Sequence, residues 1–85
     1  MERTPRNAAK IEILDILETI GDITSMQISL ITNRTPESAS MALLRYHKQG
    51  LVSRRTLTGR TKIYSITQRG RERLAWLLQP EHQTP

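Results

Sequence analysis

The chain contains no cysteine, which excludes disulfide frameworks, cysteine-ligated zinc, iron–sulfur clusters and thiol redox sensing in one step. It also lacks phenylalanine and holds only one tryptophan and two tyrosines, so its core must be assembled from Ile, Leu, Val, Met and Ala. No apolar run approaches the roughly 18 residues that a membrane span requires. The opening Met-Glu-Arg-Thr-Pro-Arg-Asn is not followed by the apolar stretch of a secretion signal. These absences point to the cytoplasm. No glycine-rich phosphate loop, no Gly-x-Ser-x-Gly elbow and no His/Cys pairing occurs, so the expectation is a non-enzyme without a cofactor or small-molecule substrate. His47 and His82 have no Cys, His or carboxylate neighbour at ligand spacing, which argues against a metal site.

What the chain does have is positive charge, unevenly placed. Its 85 residues, enough for one domain over 1–85 with an ordered core at about 6–79 and a frayed tail at 80–85, carry a net charge of +5. Residues 1–42 hold four cations against six acids, whereas residues 43–85 hold nine against two. Such asymmetry predicts one positive face and a polyanionic partner.

Periodicity divides the chain into elements. Thr4-Pro5 offers a cap and first-turn proline for a helix over 6–20, with Ala9, Ile13, Ile16, Leu17 and Ile20 inward and Glu12, Asp15 and Glu18 on a solvated acidic face. Asp22-Ile23 reads as a short extended link. Thr24-Ser25-Met26-Gln27 has the form of a capping box and starts a second helix, whose apolar face is expected from Met26, Ile28, Leu30 and Ile31. Asn33, able to adopt the left-handed conformation, ends it. Thr35-Pro36-Glu37 then supplies an N-cap, a first-turn proline and an acid for a third helix over 36–49. Two helices joined by so short a turn form a helix-turn-helix pattern. A β-branched stretch broken by Gly59 predicts a hairpin over 51–66, with Tyr64 and Ile66 inward. Thr67 caps a fourth helix over 67–79, carrying Arg69, Arg71 and Arg73 early and an apolar stripe of Leu74, Leu77 and Leu78. Trp76 lies at the margin of that stripe.

The order helix, helix, helix, strand, strand, helix is mainly α with a small β-hairpin, an α+β class. Two phrases resemble the winged helix-turn-helix family. Tyr46-His47-Lys48-Gln49-Gly50-Leu51-Val52 is similar to the exit of the third helix in MarR-like, PadR-like and archaeal phage-repressor-like regulators, and Tyr64-Ser65-Ile66-Thr67-Gln68-Arg69-Gly70 to the exit of their wing. The resemblance implies a transcriptional regulator that binds double-stranded DNA, usually as a symmetric dimer. A homodimer seam is then expected through helix 67–79, with helix 6–20 beside it.

A helical wheel with Ala39, Leu43 and Tyr46 inward turns Glu37, Met41, Leu44 and Lys48 outward, flanked by Ser38, Ser40 and Arg45. With the cap Thr35, the expected DNA-reading set is Thr35, Glu37, Ser38, Ser40, Met41, Arg45 and Lys48. The wing set is Arg54, Arg55, Arg60 and Lys62, placed on the backbone or minor groove, where contact demands positive charge more than exact geometry. Leu44 and Met41 on the same face also suit two alternatives: a winged helix used as a protein–protein interaction module, or a sequence-tolerant architectural DNA-binding protein.

Overall fold

Four helices close over a small antiparallel sheet in a computed structural model that describes residues 8–79. The Thr4-Pro5 cap, the start of the first helix at residue 6, His82 and the tail at 80–85 lie outside the described residues. In chain order the elements are α1 (Ala8–Ile20), β1 (Ile23–Thr24), α2 (Ser25–Thr32), α3 (Pro36–Lys48), β2 (Val52–Thr58), β3 (Thr61–Ile66) and α4 (Gln68–Leu77).

Helices α2, α3 and α4 each begin where a side chain accepts a hydrogen bond from an orphan amide. Thr24 caps α2 in a reciprocal capping box with Gln27. Thr35 caps α3 by accepting from the Ser38 amide, with Pro36 in the first turn, and Thr67 caps α4 by accepting from the Gly70 amide. The exits are equally local. Asn33 leaves α2 in the left-handed region at φ 57°. At the end of α3, the Gly50 amide donates to the His47 carbonyl and the Leu51 amide to the Tyr46 carbonyl. This paired pattern is a Schellman motif, and it needs the positive φ of 79° that Gly50 supplies.

The link at Asp22-Ile23 is more than extended chain. Ile23 pairs with Tyr64 and Thr24 with Ile63, making β1 a third strand in a sheet of order β1-β3-β2. Two residues carry no periodicity of their own, so this pairing was not readable from the sequence. The hairpin itself runs Val52 opposite Ile66 through Thr58 opposite Thr61, with a bulge between Thr56 and Thr58 that leaves Leu57 without an opposite residue.

Ile13, Leu14 and Leu17 of α1, Ile28 of α2, Ala39, Leu43 and Tyr46 of α3, Leu51, Val52 and Tyr64 of the hairpin, and Leu74 of α4 form one buried cluster. Three apolar expectations are corrected. Leu14, not Ile20, completes the α1 stripe, and Ile20 is exposed. In α2 the buried pair is Ile28 and Ser29, while Met26, Leu30 and Ile31 are at least half exposed. Leu30 stands about 200° round the helix from Ile28, so the two cannot share a face. Ser29 tolerates burial because its hydroxyl donates to the Met26 carbonyl at 2.7 Å. Leu78, the third residue expected on the α4 stripe, is the C-cap and is half exposed. The acidic face of α1 differs too. Glu12 and Glu18 are not simply solvated but pair with Arg34 and Arg71, both at 2.7 Å.

Of the four glycines, Gly70 is the most closely packed. A Cβ built there would lie 2.0 Å from the Leu51 carbonyl oxygen and 2.7 Å from the Ile66 side chain. Gly70→Ala should therefore destabilise by about 3 kcal/mol, the overpacking range, despite alanine's better helix propensity. Urea unfolding followed by far-UV circular dichroism measures it, and an unchanged or raised midpoint would contradict this packing.

Candidate nucleic-acid interface

The third helix presents two faces because its sequence alternates at helical period. Ala39, Ala42, Leu43 and Tyr46 are buried. Glu37, Met41, Leu44 and Lys48 form the outward ridge as the wheel predicts, with Met41 66% exposed. Ser38 and Arg45 are exposed on the flank away from the hairpin; Ser40, on the flank toward it, is half-buried. Thr35 is exposed, but its hydroxyl oxygen already accepts from the Ser38 amide at 3.1 Å. Glu37 in the first turn and Arg45 and Lys48 in the last complement the helix dipole as well as facing solvent.

The hairpin does not hold its four cations on one side. Successive strand residues face opposite ways, and Arg54 sits opposite Tyr64, whereas Arg55 sits opposite Ile63. Arg54 therefore shares the face of buried Val52 and Tyr64, the one turned to the helices. Arg55 points from the other face, where its guanidinium donates to Asp22 at 2.6 Å. Lys62 lies on the Arg54 side and donates to the Thr56 hydroxyl at 2.8 Å. Arg60 occupies the two-residue tip after Gly59, which takes a φ of 53° that other residues rarely adopt.

Between hairpin and helices lies a groove of about 310 Å³, lined by Thr24, Ser25, Met26, Ser40, Arg60, Thr61, Lys62 and Tyr64. The structure thus brings Ser40, Arg60 and Lys62 together, places Arg54 on the same side, and puts Arg55 elsewhere. Sequence reading missed the first turn of α2 as a wall of this groove. The Thr24 capping box marked where α2 starts, but only the β1–β3 pairing brings that start beside the wing. It also missed Leu57, 56% exposed near the wing tip.

The ion pairs sharpen this layout. Glu12, Asp22 and Glu18 engage Arg34, Arg55 and Arg71, and none of these six residues lines the groove. Among the described residues, Arg45, Lys48, Arg54, Arg60 and Lys62 form no ion pair, so their charge remains available to a polyanion. Burial pushes the Tyr46 phenol up, while a hydrogen bond with Arg45 and the charges of Arg45 and Arg34 pull the other way. His47 is half-buried with Nδ1 3.2 Å from the Val52 carbonyl, a contact that ties the helix to the first wing strand.

Asp22 is held below its ordinary carboxylate range by the Ser65 hydroxyl, which donates at 2.6 Å, and further by the Arg55 charge and hydrogen bond. A lowered folded pKa contributes stability that is present above the unfolded value of 3.8 and lost as pH falls through the folded one. The Asp22 carboxyl carbon followed by NMR should titrate with a midpoint below 3.8, and Ser65→Ala or Arg55→Ala should each raise it. A midpoint at or above that value in the unsubstituted chain would contradict the bonding described.

The crystal structure of YusO protein from Bacillus subtilis is similar with a TM-score of 0.77 and 21% sequence identity, over 82% of this chain and 51% of that one. The chain therefore spans about half the length of that protein. Four helices and a three-stranded antiparallel sheet in this order make the fold a winged helix. No family model and no curated protein matches the sequence.

Proposed function

We propose that the chain is a winged-helix binder of double-stranded DNA, acting in transcriptional regulation by binding rather than catalysis. The observation that carries the reading is the groove itself. An exposed α3 ridge stands beside it, and two cations of the wing that form no ion pair among the described residues, Arg60 and Lys62, line it. An α-helix about 10–12 Å across fits the roughly 12 Å width of the major groove. With α3 seated there, the wing cations meet the sugar-phosphate backbone alongside. The first turn of α2 adds amide groups and a positive helix end on the same wall. Ser38, Ser40 and Arg45 carry hydrogen-bonding groups suited to base edges or phosphates, and Met41 suits a thymine methyl. The proposal extends to a homodimer joined through α4 and α1, neither of which lines the groove, on faces that leave Lys10, Arg69 and Arg73 open to solvent.

A second reading has one specific observation in its favour. Met41, Leu44, Arg45 and Lys48 border a small concavity of about 200 Å³ on the α3 ridge, a mixed apolar and basic patch that also suits a protein partner. Leu44→Ala separates the two, because the lost apolar contact should weaken capture of a protein partner about tenfold or more while leaving phosphate-driven duplex affinity within a few-fold.

The DNA reading predicts a steep fall of duplex affinity with salt. Replacing Arg54, Arg60 and Lys62 together by Ala should reduce the log–log salt slope by nearly one unit per lost phosphate contact, about 2.7 in all. Arg55→Ala should leave it near the wild-type value, since that side chain faces away and is bound to Asp22. Fluorescence anisotropy of a labelled duplex across a salt series reads both. An unchanged slope in the triple variant would overturn the proposal.

A further inference from the structure

On another side of the molecule, where α1, α4 and the exit of α3 meet, lies a second concavity of about 310 Å³ lined by Lys10, Gln49, Leu51, Arg69 and Arg73. Three of its five lining residues are cations and none is an acid. We propose that it is a binding site for a phosphate group, distinct from the wing groove.

The arrangement is built by the fold rather than scattered over a surface. Lys10 lies 5.5 Å from the Tyr46 ring centroid and donates to the Gln49 side-chain oxygen at 3.2 Å, which fixes its ammonium at the rim. Arg69 reaches the site across Gly50, its Cδ 3.5 Å and its Nε 3.9 Å from where a Cβ on that glycine would stand. Arg73 Cζ stands over the Trp76 ring, 5.5 Å from its centroid, in cation–π range of the aromatic face. The charges of Lys10 and Arg73 are close enough to repel. Burial lowers the pKa of Lys10, and the charges of Arg73 and Arg45 lower it further. An anion between them relieves that repulsion and supplies the negative charge that the lining lacks.

The ligand chemistry follows from the donors. Two guanidinium groups and an ammonium match the several oxygens of a phosphate better than a single carboxylate. An adjoining concavity of about 440 Å³, bordered by Arg69, Glu72, Arg73 and Trp76, gives a planar group attached to that phosphate an aromatic wall. The same phosphate chemistry has two sources, a free phosphorylated small molecule and the backbone of a duplex.

Trp76 is the sole tryptophan of the chain, so its fluorescence reports on this site. Titration of the intact chain with inorganic pyrophosphate should give a saturable change. Lys10→Gln and Arg69→Gln should each weaken binding by about tenfold, the value of one charge-assisted hydrogen bond. The pair Arg54→Ala and Arg60→Ala on the wing should not change it. Circular dichroism checks that each variant is folded, and the two site variants are independent of one another. The duplex arm then separates the sources. A salt slope lowered by about one unit in each site variant assigns the phosphate to DNA, and an unchanged slope assigns it to a small ligand; either supports the site. No saturable response into the millimolar range, or equal weakening by the wing pair, would overturn it. The pyrophosphate arm involves no DNA, so its failure is separate from any failure of the duplex reading.

Discussion

Thr67 and the Leu51 carbonyl hold the functional geometry together. The Thr67 amide donates to Leu51 O at 3.0 Å, its hydroxyl donates to Gly50 O at 2.7 Å, and the same hydroxyl oxygen accepts from the Gly70 amide at 2.9 Å. One residue thus ends the last wing strand, starts α4 and grips the exit of α3. Gly70 permits the approach because any side chain there would occupy the position of the Leu51 carbonyl. The hairpin is consequently anchored at both ends of its base beside the last turn of α3. Its charged tip projects from a fixed root, and the position of Arg60 relative to Ser40 follows from that root.

Charge placement builds on this frame. The acidic first half of the chain does not cancel the basic second half uniformly. Glu12, Asp22 and Glu18 each reach one arginine, and all three pairs lie off the groove. Exposed pairs of this kind contribute only about 0–1 kcal/mol each to stability. Their larger effect is on the field, because they neutralise the back and edges of the molecule and leave the α3 ridge, the wing tip and the Lys10–Arg73 concavity positive. The proposed duplex partner, with one charge per roughly 1.7 Å of axis, suits such a distribution.

Much of this was legible in the sequence because the signals were local. The Thr24–Gln27 capping box, the Thr35-Pro36 start, left-handed Asn33 and the Gly50 exit are each set by two to four neighbouring residues, and all stand as read. The α3 faces were legible because 13 residues give a wheel enough turns to define an inside. What escaped was set by contacts between distant segments. Two-residue β1 exists only through its pairing with β3. The sorting of Arg54 from Arg55 depends on strand parity and on an aspartate 33 positions away. The three-cation concavity joins residues 10, 49, 69 and 73, which no spacing rule connects. In α2, eight residues offered too few turns to distinguish Ile28 from Leu30 as the inward position.

The claim on which the functional reading rests is that α3, the first turn of α2 and the wing tip form one duplex-facing surface. Backbone amide shifts of the isotope-labelled chain, followed by NMR while a short duplex is added, test it most directly. The account predicts that the largest changes fall on Thr24 to Met26, on the Glu37, Ser40, Met41 and Arg45 side of α3, and on Thr58 to Lys62. Changes concentrated instead on Leu30, Ile31 and Ile20, with Arg60 and Ser40 unmoved, would contradict it.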